Sequence, residues 1–391
     1  MFLSFLKGED LLGGEVVAID GTKIRAQNSK SNNYNEAKLK KHLEYIEGKA
    51  ASYIAELEQC DKAEDSHAAA ELSKKQIVEK LKLLAQRKTN YEHLQKTLQD
   101  SGAKQISTVD ADSRSLPIKD GITDVCYNVQ SANDSKHSVV VDFDTINQGD
   151  QGQLSTMAIK AKAVLEVEAL TVLADKGYHV GKELEQANEN NITTVVAYPQ
   201  ARDRSDKVGP AYYTDKFIYN KQSDCYTCPA GAELTSNGKQ YIKGRKDRTS
   251  YSVKTYSTTA CSSCPFKQQC TSSKYRTIDR SEYQDIIDQN NKRVDENREI
   301  YKRRQQIVEH PFGTIKRSWG YTYTLVKGLK KVNGELAIIF TVYNLRRAMS
   351  ILGIRELKKR LAAWKANYQC QQTGILRSLS INRLNTMRQA A

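Results

Sequence analysis

Apolar and polar residues follow two different periods along the chain. Residues 14–26, GEVVAIDGTKIRA, contain an apolar β-branched run and then an alternating one, which predicts a buried strand with Asp20 at or near its end. From about Tyr34 to Asp100, apolar residues recur every three or four positions between Lys and Glu. This period predicts two long amphipathic helices, folded as a hairpin and joined near residues 61–66. The hairpin is either a solvated arm or an arm that grips a partner or a second protomer.

A mixed succession of strands and helices follows the helical hairpin. The segments DVCYNVQSAND and HSVVVDFDTI predict an antiparallel pair of strands. The pattern then predicts, in order, a helix over 152–166, a strand ending at Asp175, a helix near 182–190, the strand ITTVVAYP, and helices over 283–316 and 333–366. This succession predicts an α/β core. Between Pro199 and Glu282 the pattern lapses into turns and short Tyr-rich pieces, which we interpret as an inserted module.

The charge of the chain points to an anionic partner. The 391 residues have a net charge of +14 at pH 7, an excess that favours nucleic acid first and an anionic membrane surface second. No uninterrupted apolar run reaches the roughly 20 residues of a membrane-spanning helix. The sequence therefore predicts a cytoplasmic protein that binds nucleic acid and has no membrane partner.

Most of the cysteines fall in one short segment. Cys225 and Cys228 form one C-x-x-C pair, Cys261 and Cys264 form a second, and Cys270 follows. Paired C-x-x-C units are typical of zinc sites, because two short loops can supply four thiolates in a tetrahedron. We therefore predict a structural zinc ion bound by the two pairs, with Cys270 able to replace one ligand. Free structural thiols and redox activity are the alternatives.

Two predicted strands finish alike, as VVAID and TVLAD, each with an aspartate at the carboxyl edge of the sheet. Open α/β sheets place their sites at this edge. Taken singly, Asp20 or Asp175 could equally be a turn residue or a helix cap. Together with Glu309 on a later helix they make a set of three carboxylates. Such a set suits a hard cation such as Mg²⁺, which neutralises the repulsion among them.

Four other aspartates compete for the same kind of site. Asp142 and Asp144 lie within the predicted strand pair and not at its exit, so we predict that they are structural. Asp110 and Asp112 lie in a loop-like stretch before that pair, where a supporting role stays open. The sequence therefore places Asp20, Asp175 and Glu309 ahead of these four as metal ligands.

Several longer motifs resemble one protein family. The segments VAIDGTKIRAQNSKSNNYN, YNVQSANDSKHSVVVDFDTINQGDQGQL, ADKGYH, CPAGAEL, CSSCPFKQQCT and VEHPFGTIK occur in the order found in DDE transposases of bacterial insertion sequences. They look most like the insertion-sequence-1182 group, within a superfamily whose last catalytic region carries a Tyr-Arg-Glu-Lys signature. The resemblance runs from about Gly14 to Arg347.

The resemblance implies a ribonuclease H-like core, a mixed sheet flanked by helices, that cleaves and transfers DNA strands with two Mg²⁺ ions, for which Mn²⁺ can substitute. By position it makes Asp20, Asp175 and Glu309 the catalytic carboxylates and metal ligands. The implied partners are the double-stranded DNA of the transposon ends and target, and a second copy of the chain assembled on that DNA in the bacterial nucleoid. The expected DNA contacts are Tyr301, Arg304, Lys316, Lys23 and Lys176.

The signature departs from its usual spacing before Glu309. Four residues instead of three separate Arg304 from Glu309, so on a straight helix Arg304 is turned away from Glu309 by roughly 140°. Lys316 lies two turns beyond Glu309 and shares its face. Pro311 removes a backbone donor and clashes with a carbonyl of the preceding turn, which predicts a kink or a helix restart beside Glu309. We expect Lys316 and Arg304, or Arg303 in its place, to contact phosphates.

These patterns divide the chain into segments. Residues 14–199 and 283–350 are predicted to form the catalytic core, with the helical hairpin 34–100 inserted after the first strand. Residues 200–282 are predicted to form a cysteine-rich, zinc-ribbon-like insertion, and 351–391 a C-terminal helix and basic tail.

The N-terminal residues and the function each leave an expectation to test. Residues 1–13 resemble the end of a helical N-terminal domain that recognises terminal repeats in the family, so we expect a truncated copy. Two functions compete with a transposase. One is a non-catalytic zinc- and nucleic-acid-binding protein, and the other is a structural or interaction protein organised around the helical hairpin.

Overall fold

The computed structural model describes residues 2–62, 68–119, 121–200, 208–244 and 250–364. Residues 63–66 of the joint predicted for the helical hairpin, and the basic tail beyond residue 364, lie outside the described residues.

Helices and strands alternate along most of the described chain. The helices are α1 Phe2–Gly8, α2 Glu36–Lys62, α3 Ala68–Ser101, α4 Leu154–Leu165, α5 Gly181–Glu189, α6 Lys267–Cys270, α7 Gln284–Glu296, α8 Arg298–Gly313, α9 Leu329–Leu352 and α10 Ile354–Trp364. The strands are β1 Val16–Arg25, β2 Asn33–Tyr34, β3 Ile106–Ser107, β4 Arg114–Lys119, β5 Ile122–Asp134, β6 Val140–Ile146, β7 Leu170–Ala174, β8 Ile192–Val196, β9 Ile218–Asn220, β10 Cys225–Thr227, β11 Glu233–Lys243, β12 Tyr251–Ser257 and β13 Thr277–Ser281.

The chain forms two compact units. The first unit comprises Met1–Asp20, Ser131–Asp142 and Asp150–His310, and the second comprises Gly21–Gln130, Phe143–Gly149 and Pro311–Ala391. Strands β1, β5 and β6 and helix α8 each contribute residues to both units.

Parallel strands form the centre of the first unit. Residues Val16–Ala18 of β1 pair in parallel with Thr171–Leu173 of β7, and β7 pairs in parallel with β8 along its whole length. Both faces of these strands are covered, so their side chains form nearly continuous apolar runs instead of alternating ones. Helix α5 makes the crossover from β7 to β8 and packs on β8.

The second unit is built on antiparallel strands and the long helices. Strand β4 pairs antiparallel with the start of β5. The strands of the six-stranded sheet follow the order β4-β5-β1-β7-β8, and β6 pairs with β5.

Helices α2 and α3 pack on each other, and His42 stacks on Tyr91 with ring centroids 4.8 Å apart. Parallel and antiparallel strands with helices make the fold mixed α/β, which confirms the predicted class.

The cysteine-rich stretch is more regular than its sequence suggests. It contains a five-stranded antiparallel sheet in the order β13-β12-β11-β10-β9, whereas the pattern indicated turns and short Tyr-rich pieces. A small apolar core supports this sheet, formed by Phe217, Tyr226, Leu234, Tyr256 and Ile278. The prediction was wrong because β9 and β10 have only three residues each and the module uses Tyr, Thr and Lys in its strands, which hides the alternation.

Among the described residues, no single helix is both long and apolar enough to cross a membrane. Within these residues, only the helices Leu329–Leu352 and Ile354–Trp364 taken together reach that length and apolar composition, and they are bent by 114° relative to each other.

One buried carboxylate fastens the segment before β1. Asp134, at the end of β5, is fully buried and accepts hydrogen bonds from the backbone N–H groups of Gly13 and Gly14 at 3.0 Å and of Lys136 at 2.9 Å. A buried carboxylate that accepts several N–H bonds satisfies donors that would otherwise be orphaned. Asp134 therefore fixes the entry into β1 and, through it, the position of Asp20 along the sheet.

Replacing this carboxylate should destabilise the first unit. We predict that Asp134→Ala lowers the free energy of unfolding by about 2–4 kcal/mol, because three backbone donors lose a charged acceptor. Urea denaturation followed by circular dichroism measures the change. Glu168→Ala, at an exposed position before β7, serves as the control and should change it by less than about 0.5 kcal/mol. Equal stability of the two variants would contradict the role given to Asp134.

Candidate functional site

The register of β1 and β7 aligns two of the predicted catalytic carboxylates. Ala18 pairs with Leu173, and two further residues along each parallel strand bring Asp20 level with Asp175. Residues two apart on a strand point to the same face, so both carboxylates project on the face that carries Ala18 and Leu173. Asp175 directly follows β7 in an extended conformation, with φ −81° and ψ 177°. Neighbouring strands lie about 4.8 Å apart, which makes these two acids close neighbours.

Asp20 does not stand at the end of its strand, contrary to our prediction. Strand β1 continues to Arg25, and the backbone N–H of Ala26 still donates to the carbonyl of Val125 at 3.0 Å. The pairing with β7, however, stops at Ala18, before Asp20. Beyond Ala18, β1 continues because it pairs antiparallel with β5. Asp20 therefore lies just past the end of the parallel pairing with β7 but still inside β1.

Asp175 is held by the turn that follows it. Its Oδ1 accepts a hydrogen bond from the backbone N–H of Gly177 at 2.8 Å, which caps the short helical turn Lys176–Tyr178. A Cβ atom at position 177 would lie 2.9 Å from this Oδ1, so the close approach requires glycine. Tyr178 is buried and anchors the turn. The ADKGY motif thus positions one carboxylate oxygen and leaves the other for a ligand.

Helix α8 covers the face that carries the two aspartates. Ile307 and Val308 pack with Ala18, Leu173 and Val195 in one buried apolar cluster. Residues 301, 304 and 308 lie on one side of a helix because they are spaced three and four apart. This side therefore carries both the apolar contacts and the polar groups that reach the carboxylates.

Arg304 and Tyr301 lie beside the aspartates. The Nη1 atom of Arg304 is 3.4 Å from Oδ2 of Asp20, and both side chains are largely buried. The guanidinium also lies over the ring of Tyr301, 5.9 Å from its centroid. Burial raises the pKa of the Tyr301 phenol, Arg304 lowers it, and the negative charges of Asp175 and Asp20 raise it further. All four groups therefore share one electrostatic environment, in which Arg304 is a counter-charge for Asp20.

Glu309 lies outside this group. Its side chain is exposed, and its Oε1 accepts a hydrogen bond from Nε2 of Gln305 at 2.8 Å. The additional residue between Arg304 and Glu309 puts Val308, which is 1% exposed, where the usual spacing places the glutamate. One residue is 100° of helix rotation, so Val308 packs on the strands and Glu309 is turned to solvent.

The helix is not interrupted at Pro311. Helix α8 continues from Arg298 to Gly313 with Pro311 inside it, and a π-helical turn, Thr314–Ser318, follows directly. Of the two predicted alternatives, the helix restart beside Glu309 is therefore wrong, and a π-helical turn begins at Thr314. Buried Ile307 and Val308 hold this part of the helix against the strands, which offsets the backbone hydrogen bond that Pro311 cannot make.

The remaining predicted DNA contacts have different surroundings. In the second unit, the ammonium of Lys316 donates to Oγ1 of Thr22 and to the carbonyl of Lys23, both at 3.1 Å, and burial lowers its pKa. The side chain of Lys23 is half-buried. In the first unit, Lys176 is exposed next to Asp175. Of these three predicted contacts, Lys176 is therefore the most accessible to a ligand. Lys316 holds the π-helical turn on β1.

The competing aspartates have structural partners. In the second unit, Asp110 accepts hydrogen bonds from the hydroxyl of Tyr127 at 2.7 Å and from the N–H of Gly328 at 3.1 Å, and Asp112 accepts from the N–H of Leu329 at 2.8 Å. Burial and then the bond to Asp110 raise the pKa of Tyr127. The two aspartates thus cap the N-terminus of α9, as a helix N-terminus favours.

The other pair of competing aspartates lies on β6. Asp142 and Asp144 stand within this strand, where they were predicted, and Oδ1 of Asp144 accepts a hydrogen bond from the N–H of Thr145 at 2.9 Å. This bond is local to the strand.

Four of the five clustered cysteines line a single cavity. They are Cys228, Cys261, Cys264 and Cys270, and we call the space between them the cysteine cavity. Burial raises the pKa of the Cys270 thiol, Arg276 lowers it, and the other three cysteines raise it. Cys225, the first residue of β10, does not line this cavity; its Sγ lies 3.0 Å from Oγ of Ser223. The spacing alone pointed to two pairs and gave Cys270 only a secondary place.

Within the described parts of the chain, no three His, Cys, Asp or Glu side chains form a group that could hold a metal ion as they stand. The structure thus brings Asp20 and Asp175 to one face, and four thiols to one cavity, without a complete set of ligands at either place.

The comparison with protein families gave one match. Residues 227–349 match the model of the family described as "Transposase DDE domain". This segment includes most of the cysteine-rich sheet, helix α8 with Glu309, and most of α9, whereas Asp20 and Asp175 precede it. Comparisons with curated proteins and with solved structures gave no significant match. The family match supports a DDE transposase.

If Asp112 caps α9, its effect on stability does not depend on Mg²⁺, whereas the effect of a metal ligand would. We expect Asp112→Ala to lower the free energy of unfolding by about 1–2 kcal/mol, because the N-terminus of α9 loses its acceptor. The loss should be the same with and without Mg²⁺ in urea denaturation. Asp112→Asn keeps an acceptor oxygen and should recover most of the stability. A loss that occurs only in Mg²⁺ would contradict the capping role.

Proposed function

We propose that this protein is a DNA transposase that cleaves and transfers DNA strands of an insertion sequence with divalent metal ions. The observation that carries the proposal is the register that sets Asp20 level with Asp175 on the face covered by α8. Two carboxylates brought together by neighbouring parallel strands repel each other unless a cation lies between them. The family match over 227–349 independently supports the same class of protein.

Asp20 and Asp175 suit Mg²⁺ in their chemistry, because carboxylate oxygens are the ligands that this ion prefers. We propose that these two residues hold the ion and that Glu309 is the third carboxylate, which joins them when α8 turns or shifts locally. Bound Mg²⁺, or Mn²⁺ in its place, would activate the attacking oxygen and stabilise the leaving 3′-oxygen of a DNA strand. A ribonuclease H-like core over 14–199 and 283–350 is part of this proposal, supported by the mixed sheet with β1 inside it.

The side chains around the carboxylates have separate tasks in this proposal. Arg304 neutralises Asp20 before DNA binds and then contacts a phosphate, since a guanidinium can donate to phosphate with two N–H groups. Tyr301 orients Arg304 through its ring. Lys176, exposed beside Asp175, contacts the backbone of the double-stranded DNA. The net charge of +14 attracts the polyanion over a longer range, and a second copy of the chain joins on the DNA.

Metal-dependent nicking of supercoiled plasmid tests the proposal. We expect the wild type to nick DNA in Mg²⁺ or Mn²⁺ but not in EDTA. Asp20→Asn, Asp175→Asn and Glu309→Gln should each lower the nicking rate by roughly 10²–10³-fold, because each removes a charged group that stabilises the transition state. Gel electrophoresis of the relaxed product measures the rate.

Glu299→Gln is the matched control for Glu309→Gln, since Glu299 is an exposed glutamate of the same helix that pairs with Lys302. It should nick at the wild-type rate. If all three carboxylate variants nick as fast as the control, the enzymatic proposal fails. If wild type and variants all bind DNA with equal salt-dependent affinity and none nicks, the chain is a nucleic-acid-binding protein instead.

The counter-charge role of Arg304 makes a separate prediction. In Arg304→Gln, Asp20 and Asp175 lose the cation that offsets their repulsion, so added Mg²⁺ should stabilise this variant more than the wild type. We expect the rise in melting temperature on adding Mg²⁺ to be larger by about 2–4 °C, which corresponds to about 1 kcal/mol. Arg303→Gln, at an exposed neighbouring position, should respond like the wild type. An equal Mg²⁺ response of the two variants would exclude this role.

A further inference from the structure

Three separate segments bring thiols to the cysteine cavity. Cys228 follows β10, Cys261 and Cys264 lie in and after the short helical turn Thr259–Ser262, and Cys270 ends α6. Each segment lies in the first unit, within the five-stranded module. Four thiols from three loops of one small sheet are an arrangement that a tetrahedral metal ion can crosslink.

Strand geometry determines which cysteines belong to this set. Successive side chains of a strand point to opposite faces, so Cys225 and Cys228, three positions apart at the end of β10, face opposite sides. Cys228 packs, together with Cys270, against the apolar core that contains Tyr226. Cys225 is 3% exposed and contacts Ser223 on the other side of the strand. Cys225 therefore faces away from the cavity that Cys228 lines.

The backbone near Cys228 already donates a hydrogen bond to its sulfur. The N–H of Ala232 donates to its Sγ at 3.3 Å, and the N–H of Gly231 donates to its carbonyl at 2.9 Å, in a tight turn where Gly231 has φ +83°. An N–H bond to sulfur stabilises the negative charge that a metal ligand must carry. The turn before β11 thus holds one sulfur in a fixed position at the cavity wall.

The size and charge of the cavity limit its ligand. Its volume of ≈ 30 Å³ admits a single ion or a water molecule but no organic molecule. Lys267 and Arg276 also line it. Four thiolates around one Zn²⁺ carry a net charge of about −2, which two neighbouring cations offset.

We propose that Cys228, Cys261, Cys264 and Cys270 bind one structural zinc ion and that Cys225 is not a ligand. The four sulfurs line the cavity without forming a ligand group as they stand, so binding draws the turn carrying Cys261 and Cys264 towards the other two. The ion then crosslinks the turn before β11, the turn after β12 and the segment before β13. Its role is to stabilise the five-stranded module, which precedes the helices α7 and α8 in the chain.

Zinc content of the full chain tests this assignment. The protein is purified without chelator, and zinc is measured by mass spectrometry in the wild type, Cys225→Ser and Cys270→Ser. We expect about one zinc ion per chain in the wild type and in Cys225→Ser. Cys270→Ser should retain less than about a tenth of that amount, because three thiolates bind the ion much more weakly than four.

Two further variants distinguish loss of a zinc ligand from misfolding. Cys270→His keeps a zinc ligand and should restore zinc binding, and Cys126→Ser changes a buried cysteine of the second unit and should retain zinc. Circular dichroism confirms that the compared variants are folded. A wild type that is folded but free of zinc, or that carries a disulfide between these cysteines, overturns the proposal. Loss of zinc in Cys225→Ser with retention in Cys270→Ser overturns the ligand assignment.

Zinc content is measured without DNA, so its outcome is independent of the nicking assay. A zinc-loaded chain that does not nick would contradict the proposed function alone.

Discussion

The parallel pairing of β1 with β7 is the constraint on which the candidate site depends. Because Ala18 lies opposite Leu173, Asp20 and Asp175 are fixed at one level and on one face of the sheet. Two carboxylates so close together repel each other unless a positive charge lies beside them. Arg304 supplies that compensation at 3.4 Å from Asp20, and it can do so because Ile307 and Val308 seat α8 on the same face. The strand register brings the two carboxylates together, and the packing of α8 brings the positive charge that offsets their repulsion.

The position of Glu309 follows from the same packing. Val308 occupies the buried position of α8, and burying such a side chain contributes about 1.5–3 kcal/mol. Turning the helix so that Glu309 faced the aspartates would expose Val308 and bring a third negative charge to the pair. The cost of that charge is high unless a cation is present. Entry of a metal ion and movement of Glu309 are thus expected to be coupled, and Arg304 would have to leave Asp20 in the same step.

The sequence predicted those features that depend on local patterns. The helical period of residues 34–100, the run TVLAD and its turn, and the helices after 283 each appear where their apolar spacing indicates. The misses depend on pairing between distant segments. Asp20 lies inside β1 because β5 extends the strand, and the cysteine-rich stretch forms a five-stranded sheet. The capping role of Asp112, which the sequence left open, likewise depends on a helix that starts more than two hundred residues later.

Lys316 and Glu309 show a different limit of sequence reasoning. Both were predicted, from the resemblance, to face one ligand, yet the ammonium of Lys316 donates to Thr22 and Lys23, and Glu309 accepts a hydrogen bond from Gln305. The spacing of a motif gives the angles between its residues around a helix, but it does not tell which side of the helix packs against the core.

The direct test of the metal site is anomalous scattering from Mn²⁺ in crystals of the chain bound to DNA. We predict a manganese peak coordinated by Asp20 and Asp175, with Glu309 within reach and Arg304 moved away from Asp20. A peak elsewhere, or Arg304 still paired with Asp20 and no metal beside it, would contradict it.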